Sequence, residues 1–342
     1  MIIVMQRGAT PTQVELVCDV LRARDLEPLV LPGEDRIAIG IPQLVSPEVR
    51  ANLEATLGMC EGISKVTQTS APYKLASTEW KRDPTMITVK GVEIGRGNFT
   101  LIGGPCSVES YDQLVAAANV VKSAGAKVLR GGAFKPRTSP YSFQGLAEEG
   151  LKILKRVGDE TGLLTISEVM SGDLVPLVAE HVDILQIGAR SMQNFPLLIE
   201  AGKSKKPVFL KRGPSATIDE FLLAAEYLLA QGNPNIMLCE RGVMPLDRAY
   251  TRNTLDLAAI PVLREHTHLP VFADPSHGTG VARYVAPMAR AAMAAGADGI
   301  MIEMHPHPME ALSDGSQALT PNQFGALAED LRSLAGCLGI RM

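Results

Sequence analysis

The chain has 342 residues, 46% of them hydrophobic and 20% charged, and a formal net charge of −4. That balance suits a globular protein of about two domains with a large core, and it gives no reason to expect a nucleic-acid partner. No apolar run approaches the roughly 20 residues that cross a bilayer, and the five cysteines are odd in number and lack CxxC spacing, which argues against a disulfide framework and for a reducing cytoplasm.

Residues 1–6 read as a short strand and not as a signal peptide, because no basic leader, long apolar stretch or small-residue cleavage site accompanies them. Residues 12–24 carry Val14, Val17, Cys18 and Leu21 at helical spacing. Residues 27–31 and 36–41 form a hairpin around Gly33, 47–57 a second helix and 63–68 a last strand. The order βαββαβ is the ferredoxin-like split βαβ. No nucleophile or ligand cluster falls within it, so residues 1–70 suit a regulatory or assembly role. Residues 71–85 read as a linker, polar and holding Pro72 and Pro84. The third part, 86–342, opens with a hairpin over 86–94 that turns at Lys90-Gly91.

A new rhythm then begins. Apolar strands are expected at 99–103, 128–131, 163–168, 184–187, 208–211, 236–239, 271–273 and 299–303, separated by helical patterns such as 111–124, 218–231 and 283–295. Gly125, Gly162, Gly232 and Gly296 supply helix stops. This α/β alternation, about eight βα units long, has the size of a (β/α)8 TIM barrel. The competing open, doubly wound sheet calls for a glycine-rich turn after its first strand, and Gly103-Gly104-Pro105-Cys106 does not match GxGxxG.

TIM-barrel active sites sit at the C-terminal strand ends, and here those ends are polar. Cys106, His277, Glu303 and Asp314 follow strands 1, 7 and 8, which are neighbours in a closed barrel. A single strand-end cysteine is ordinarily a small buried hydrophobe, but four donors on adjacent strands form a mixed sulfur, nitrogen and oxygen set. Such a set suits Mn, Fe, Co or Zn better than Mg or Ca and equips a metal to polarise a carbonyl. A second group is basic: Arg130, Lys135, Arg137, Arg190, Lys211, Arg212 and Arg241. Cations at strand ends are costly to bury without anionic partners, and there are enough for two phosphates or carboxylates. Arg212 is the exception, since alternation points it away from the barrel interior and simple solvation accounts for it. Lys135 or Lys211 as a Schiff-base lysine fits poorly beside a four-ligand metal. His305 and His307 are expected to pack in a loop and Cys239 in the core, while Cys18, Cys60 and Cys337 carry no arguable chemistry.

The runs Gly-Gly-Pro-Cys106-Ser-Val-Glu, Leu-Arg130-Gly-Gly-Ala-Phe-Lys135-Pro-Arg137-Thr-Ser-Pro, Ile-Gly-Ala-Arg190, Leu-Lys211-Arg-Gly, Cys-Glu-Arg241-Gly, Asp-Pro-Ser-His277 and Leu-Ser-Asp314-Gly resemble 3-deoxy-D-arabino-heptulosonate-7-phosphate (DAHP) synthase. The likeness is to its shorter microbial branch and covers 86–342, while the N-terminal segment resembles the ferredoxin-like (ACT-like) regulatory domain of some members. The resemblance implies condensation of phosphoenolpyruvate with erythrose 4-phosphate, the first step of the shikimate pathway. It implies Cys106, His277, Glu303 and Asp314 as metal ligands. Arg130, Lys135, Arg190, Lys211 and Arg241 would hold phosphoenolpyruvate, and Arg137 and Thr138 the phosphate of erythrose 4-phosphate. Lys135 is the candidate for proton handling, with Asp274 supporting the network beside the metal. A homotetramer and a tyrosine or phenylalanine effector are also implied, although the second strand, Glu27-Pro28-Leu29-Val30-Leu31, lacks the polar side chains of tyrosine-sensing members. The alternatives are a 3-deoxy-octulosonate-8-phosphate synthase acting on arabinose 5-phosphate, which carries a Lys-Ala-Asn-Arg-type segment where this chain has Lys-Pro-Arg-Thr, and a non-catalytic barrel that senses phosphosugars.

Overall fold

The computed structural model describes residues 1–32, 36–41, 43, 45, 47–67, 72–135 and 139–342. They form two compact units, one of Met1–Pro84 with His266–His268 and one of Thr85–Glu265 with Leu269–Met342.

In the first unit β1 (Ile2–Met5), α1 (Pro11–Arg22), β2 (Leu29–Pro32), β3 (Ile37–Gly40), α2 (Pro47–Leu57) and β4 (Ile63–Thr67) follow in order. The sheet order is β2-β3-β1-β4 and the described pairs are antiparallel, the arrangement expected of βαββαβ. Thr10 starts α1 with a capping box to Gln13, and Pro11 supplies a pre-set φ. The stripe Val14, Val17, Cys18 and Leu21 meets Ile3, Met5 and Ile39 of the sheet together with Leu53 and Leu57 of α2. The stretch read as a linker is not solvated, since Tyr73, Leu75, Ala76 and Trp80 are buried. The Trp80 ring lies on Gly40, where a Cβ would come within 1.5 Å of it, so no other residue type leaves room for the indole.

In the second unit a hairpin of β5 (Ile87–Val89) and β6 (Val92–Ile94) turns at Lys90 and Gly91, both with positive φ, as a tight two-residue hairpin turn requires. Strands β7 (Thr100–Gly104), β8 (Val128–Arg130), β9 (Leu164–Val169), β10 (Ile184–Ile187), β11 (Val208–Lys211), β12 (Ile236–Glu240), β13 (Val271–Ala273) and β14 (Gly299–Glu303) close into a parallel barrel through β14–β7 pairing. Around it lie α3 (Tyr111–Ser123), α4 (Ala147–Thr161), α5 (Val175–His181), α6 (Phe195–Lys203), α7 (Ile218–Leu229), α8 (Ala259–His266), the short α9 (Pro275–Thr279), α10 (Ala282–Ala294) and α11 (Pro321–Leu338). The strand ends differ from the sequence reading by a residue or two, the usual margin, while α9 has no sequence counterpart.

Every second residue of a strand faces the barrel interior. Ile102, Val128, Ile166, Ile184, Phe209, Met237, Phe272 and Met301 fill it together with Ile87, Val89 and Ile94 of the hairpin. Lys90 pairs with Asp183, just before β10, at 2.8 Å, so the hairpin stops the N-terminal mouth. The same alternation continues upward. Two residues beyond these apolar positions stand Arg130, Glu168, Gln186, Lys211, Asp274 and Glu303. On six of the eight strands the interior therefore changes from hydrocarbon to polar or charged side chains within two residues.

Candidate active site

At the C-terminal mouth lies a cleft of about 500 Å³ whose lining includes Arg130, Lys135, Arg190, Lys211, Arg241, Arg252, Glu168, His277 and Asp314. Cys106, His277, Glu303 and Asp314 each offer a donor atom there, all within 4.8 Å of one another. Donors gathered this closely need only a modest inward movement to meet one ion with bonds of roughly 2.0–2.3 Å. Cys106 is reached through Gly104, whose φ of +137° and close approach (a Cβ would sit 2.3 Å from the Arg130 carbonyl oxygen) turn the chain off β7. His277 is carried by α9. Asp274 starts that helix, its Oδ1 accepting from the His277 backbone N–H at 2.9 Å. Glu303 ends β14, and its backbone N–H donates to Ser276 Oγ of α9 at 2.9 Å, which ties two of the donors together. Asp314 comes from a loop and holds a left-handed φ of +51°.

The charges are arranged against each other. Glu303 Oε2 accepts from Arg130 Nη1 at 3.1 Å and from Gln317 Nε2 at 3.0 Å, and lies 3.4 Å from His277 Nε2. Its Oε1 is buried and has no hydrogen-bond partner among the described residues. A buried carboxylate oxygen left unsatisfied is costly, and a cation at the cluster would satisfy it. Asp274 Oδ2 meets Lys211 Nζ at 2.6 Å and lies 2.8 Å from His277 Nδ1, off the line of a good hydrogen bond. This places a carboxylate behind the imidazole, as is usual for a metal-bound histidine. Burial pushes His277 down to about 3 against the pull of Asp274, the direction that suits a metal-ligating imidazole. Burial, with Glu303, raises the Cys106 thiol against Lys135 and Arg130. Burial would also raise Asp314, but His277, the Cys106 hydrogen bond and Arg252 hold it below its ordinary value. Lys135 Nζ lies 2.8 Å from Cys106 Sγ and 2.9 Å from the Cys106 carbonyl oxygen.

The basic residues divide in two. Arg130 and Lys211 are buried in ion pairs with Glu303 and Asp274; burial opposes the Arg130 charge, yet Glu303, Cys106 and Asp274 raise its pKa overall. Arg190 and Arg241 also line the cleft, and burial lowers Arg241 from its ordinary value. Arg212 corrects the expectation of a solvated cation. It is buried and paired with Glu240 at 2.8 Å and Asp256 at 3.0 Å behind the barrel wall, because the outward parity that removes it from the cleft delivers it to acidic partners. Arg137 and Thr138 lie outside the described residues. His305 is buried in the loop beside Glu109, and Cys239 is in the core. The sequence reading did not single out Glu168, Gln186, Arg252, Asn253, Ser139 and Ser142, which also line the cleft. For Glu168 and Gln186 a signal existed, since both lie on interior parity; Arg252 and Asn253 sit in an irregular segment that no period reaches.

The family model described as DAHP synthetase I family matches residues 76–336, and that of the DAHP synthase ferredoxin-like domain matches residues 1–67. The chain is similar to phospho-2-dehydro-3-deoxyheptonate aldolase of Thermotoga maritima, at 45% identity over the full length of both. It is also similar to 2-dehydro-3-deoxyphosphooctonate aldolase of Syntrophobacter fumaroxidans, at 35% identity over 71% of this chain and 89% of the relative. Among solved structures, that of the Thermotoga maritima DAHP synthase aligns with a TM-score of 0.79 at 44% identity, covering 99% of this chain and 98% of the other. A truncated form of the Thermotoga maritima 3-deoxy-D-arabino-heptulosonate 7-phosphate synthase aligns with a TM-score of 0.73 at 46% identity, covering 78% of this chain and 98% of the other. A cationic cleft beside a four-donor cluster, on a barrel preceded by a ferredoxin-like unit, is thus matched along the whole chain, and the chain belongs to the DAHP synthetase I family.

Proposed function

We propose that this cleft joins phosphoenolpyruvate to erythrose 4-phosphate, the reaction of a DAHP synthase, with the roles that follow. The observation that carries the reading is the meeting of two groups at one mouth: four donors within 4.8 Å and a wall of arginine and lysine. Cys106, His277, Glu303 and Asp314 would hold a divalent cation, with Mn, Fe, Co or Zn favoured by the mixed donor set. When bound, the cation supplies Lewis-acid polarisation of the aldehyde.

The protein's own groups do the rest. Arg190, Lys211 and Arg241 grip the phosphate of phosphoenolpyruvate, while Arg130 and Lys135 hold its enol and carboxylate side; guanidinium forks suit both anions. Arg137 and Thr138 hold the phosphate of erythrose 4-phosphate. C3 of phosphoenolpyruvate attacks the aldehyde carbon, water adds at C2, and inorganic phosphate leaves with cleavage of its C–O bond. Lys135, beside Cys106 and within the cleft, delivers the proton that the aldehyde oxygen gains. Asp274 keeps the imidazole of His277 oriented and pairs with Lys211.

The ferredoxin-like family match supports control by an aromatic amino acid, tyrosine or phenylalanine, and the family resemblance supports a homotetramer in the cytoplasm; no helix of the described residues is long and apolar enough to cross a membrane. One assay tests the reaction, its metal and its effector. Phosphoenolpyruvate loss is followed with erythrose 4-phosphate against arabinose 5-phosphate, with and without EDTA, Mn or Co, and with and without tyrosine and phenylalanine. Metal-dependent turnover of erythrose 4-phosphate is expected. Turnover of arabinose 5-phosphate alone favours the octulosonate reading. Absence of turnover with every metal would favour a sensor.

A further inference from the structure

Three of the four candidate ligands stand on, or within two residues of, a barrel strand or α-helix: Cys106 two residues after β7, His277 on α9 and Glu303 at the end of β14. Asp314 does not. It lies eleven residues past Glu303, in a left-handed conformation that a non-glycine residue keeps only where its surroundings impose it. Besides Arg252, whose guanidinium lies 3.5 Å from Asp314 Oδ1, those surroundings come from the other side of the barrel seam, the loop after β7.

Glu109 Oε1 accepts from the Leu312 backbone N–H at 2.9 Å and from the Ser107 hydroxyl at 3.3 Å. Ser107 Oγ lies 2.7 Å from Ser313 Oγ, and both serines are buried. A carboxylate only accepts, and a hydroxyl has one hydrogen. The chain of donation is therefore fixed as Ser313 to Ser107 to Glu109. Glu109 Oε2 faces His305 Nε2 at 3.4 Å. His305 Nδ1 accepts from the His307 backbone N–H at 3.0 Å, which leaves Nε2 as the nitrogen that carries a proton towards Glu109. One nearly buried carboxylate thus holds the start of the β14 loop at His305 and its return at Leu312–Ser313, immediately before Asp314.

We infer that Glu109, with Ser107, is a positioning residue that presents Asp314 to the metal cluster. It is neither one of the four donors nor part of the cleft lining; it holds the donor that lies farthest along the chain from a barrel strand. The inference rests on the reading of Cys106, His277, Glu303 and Asp314 as metal ligands.

The test uses the full chain stripped of metal and titrated with Co2+, read by the thiolate charge-transfer band and by the d–d bands. Outer groups that orient a ligand typically change metal affinity about 10–100-fold, and a Glu109→Leu variant is expected to weaken Co2+ by that much. Its charge-transfer band should persist, since Cys106 is untouched, while its d–d spectrum should move to that of Asp314→Ala. In the double variant the effects should not add, because both act through one ligand. Ser107→Ala, which removes one link and little volume, is expected to shift affinity in the same direction and serves if Glu109→Leu does not fold. The inference is overturned if the variants that fold bind Co2+ as the wild type does, or if the double variant shows the sum of two independent losses. If Asp314→Ala itself binds Co2+ unchanged, the ligand reading falls and this inference falls with it.

Discussion

Replacing Asp274 by asparagine keeps the shape of the side chain and removes its charge. Oδ1 remains to cap α9 through the His277 N–H. Lys211, only 5% exposed at its side chain, loses the anion that sits 2.6 Å from its ammonium. Removing one partner of a buried pair costs about 3–5 kcal/mol because the other charge is left stranded. At about 2–4 °C per kcal/mol for a unit of this size, the barrel should melt roughly 6–20 °C lower. The measurement is thermal unfolding by calorimetry, in EDTA and without phosphate, so that neither a metal nor an anion on Lys211 masks the loss. Burial would raise the Asp274 carboxyl, yet His277, Lys211 and Arg130 hold it well below its ordinary value of 3.8. A depressed carboxylate contributes fully above its unfolded value and loses that contribution only as pH falls below it. The deficit should therefore be the same at pH 6 and pH 8. Adding Lys211→Met to Asp274→Asn should restore part of the lost stability, since it removes the stranded cation. A melting temperature equal to that of the wild type, or a double variant less stable than the single one, would refute the reasoning.

Gly104→Ala should destabilise the barrel by about 2–5 kcal/mol, since a methyl group there meets the Arg130 backbone and a positive φ strains any side chain; urea unfolding measures it, and a wild-type midpoint would count against the turn as the reason for this glycine. His268 is buried, donates from Nε2 to the Leu75 carbonyl oxygen at 2.8 Å, and is held down to about 4 from 6.5 by burial. Its folded value lies below its unfolded one, so the unfolded chain takes the proton first and stability falls as pH drops from 6.5 towards 4. From pH 7.5 to 4.5 the loss should be about 2–3 kcal/mol, and His268→Gln should show a flatter acid limb in calorimetry; an unchanged limb would mean that another group carries the acid sensitivity.

The catalytic half of the molecule was legible in the sequence for a physical reason. A buried parallel strand is a short apolar run, and its terminal polar residues announce the mouth of the barrel, so Arg130, Lys211, Glu303 and the runs after β7 and β13 could be placed without coordinates. What the pattern could not carry was partnership. Alternation correctly turned Arg212 outward, but could not show that Glu240 and Asp256 wait behind the wall. The five residues of α9 are too few for a helical period; Asp274 as a cap is what makes them a helix. Arg252 and Asn253 reach the cleft along an irregular path with no periodic signal. Trp80 was hidden inside a polar stretch, because nothing local indicates that Gly40 leaves a place for it.

The single alternation that runs from the apolar interior to the charged rim makes distance along a strand equivalent to depth in the barrel. A change of chain length inside a strand therefore acts in two distinct ways. One inserted residue would rotate the terminal side chain to the helical layer and delete its function outright. Two would keep it facing inward but lift it by roughly 6–7 Å, beyond the reach of the other donors. Changes of length are accordingly excluded from the strands, and the loops beyond Arg130, Glu240 and Glu303 can change length only where Lys135, Arg241 and Asp314 keep their places at the rim.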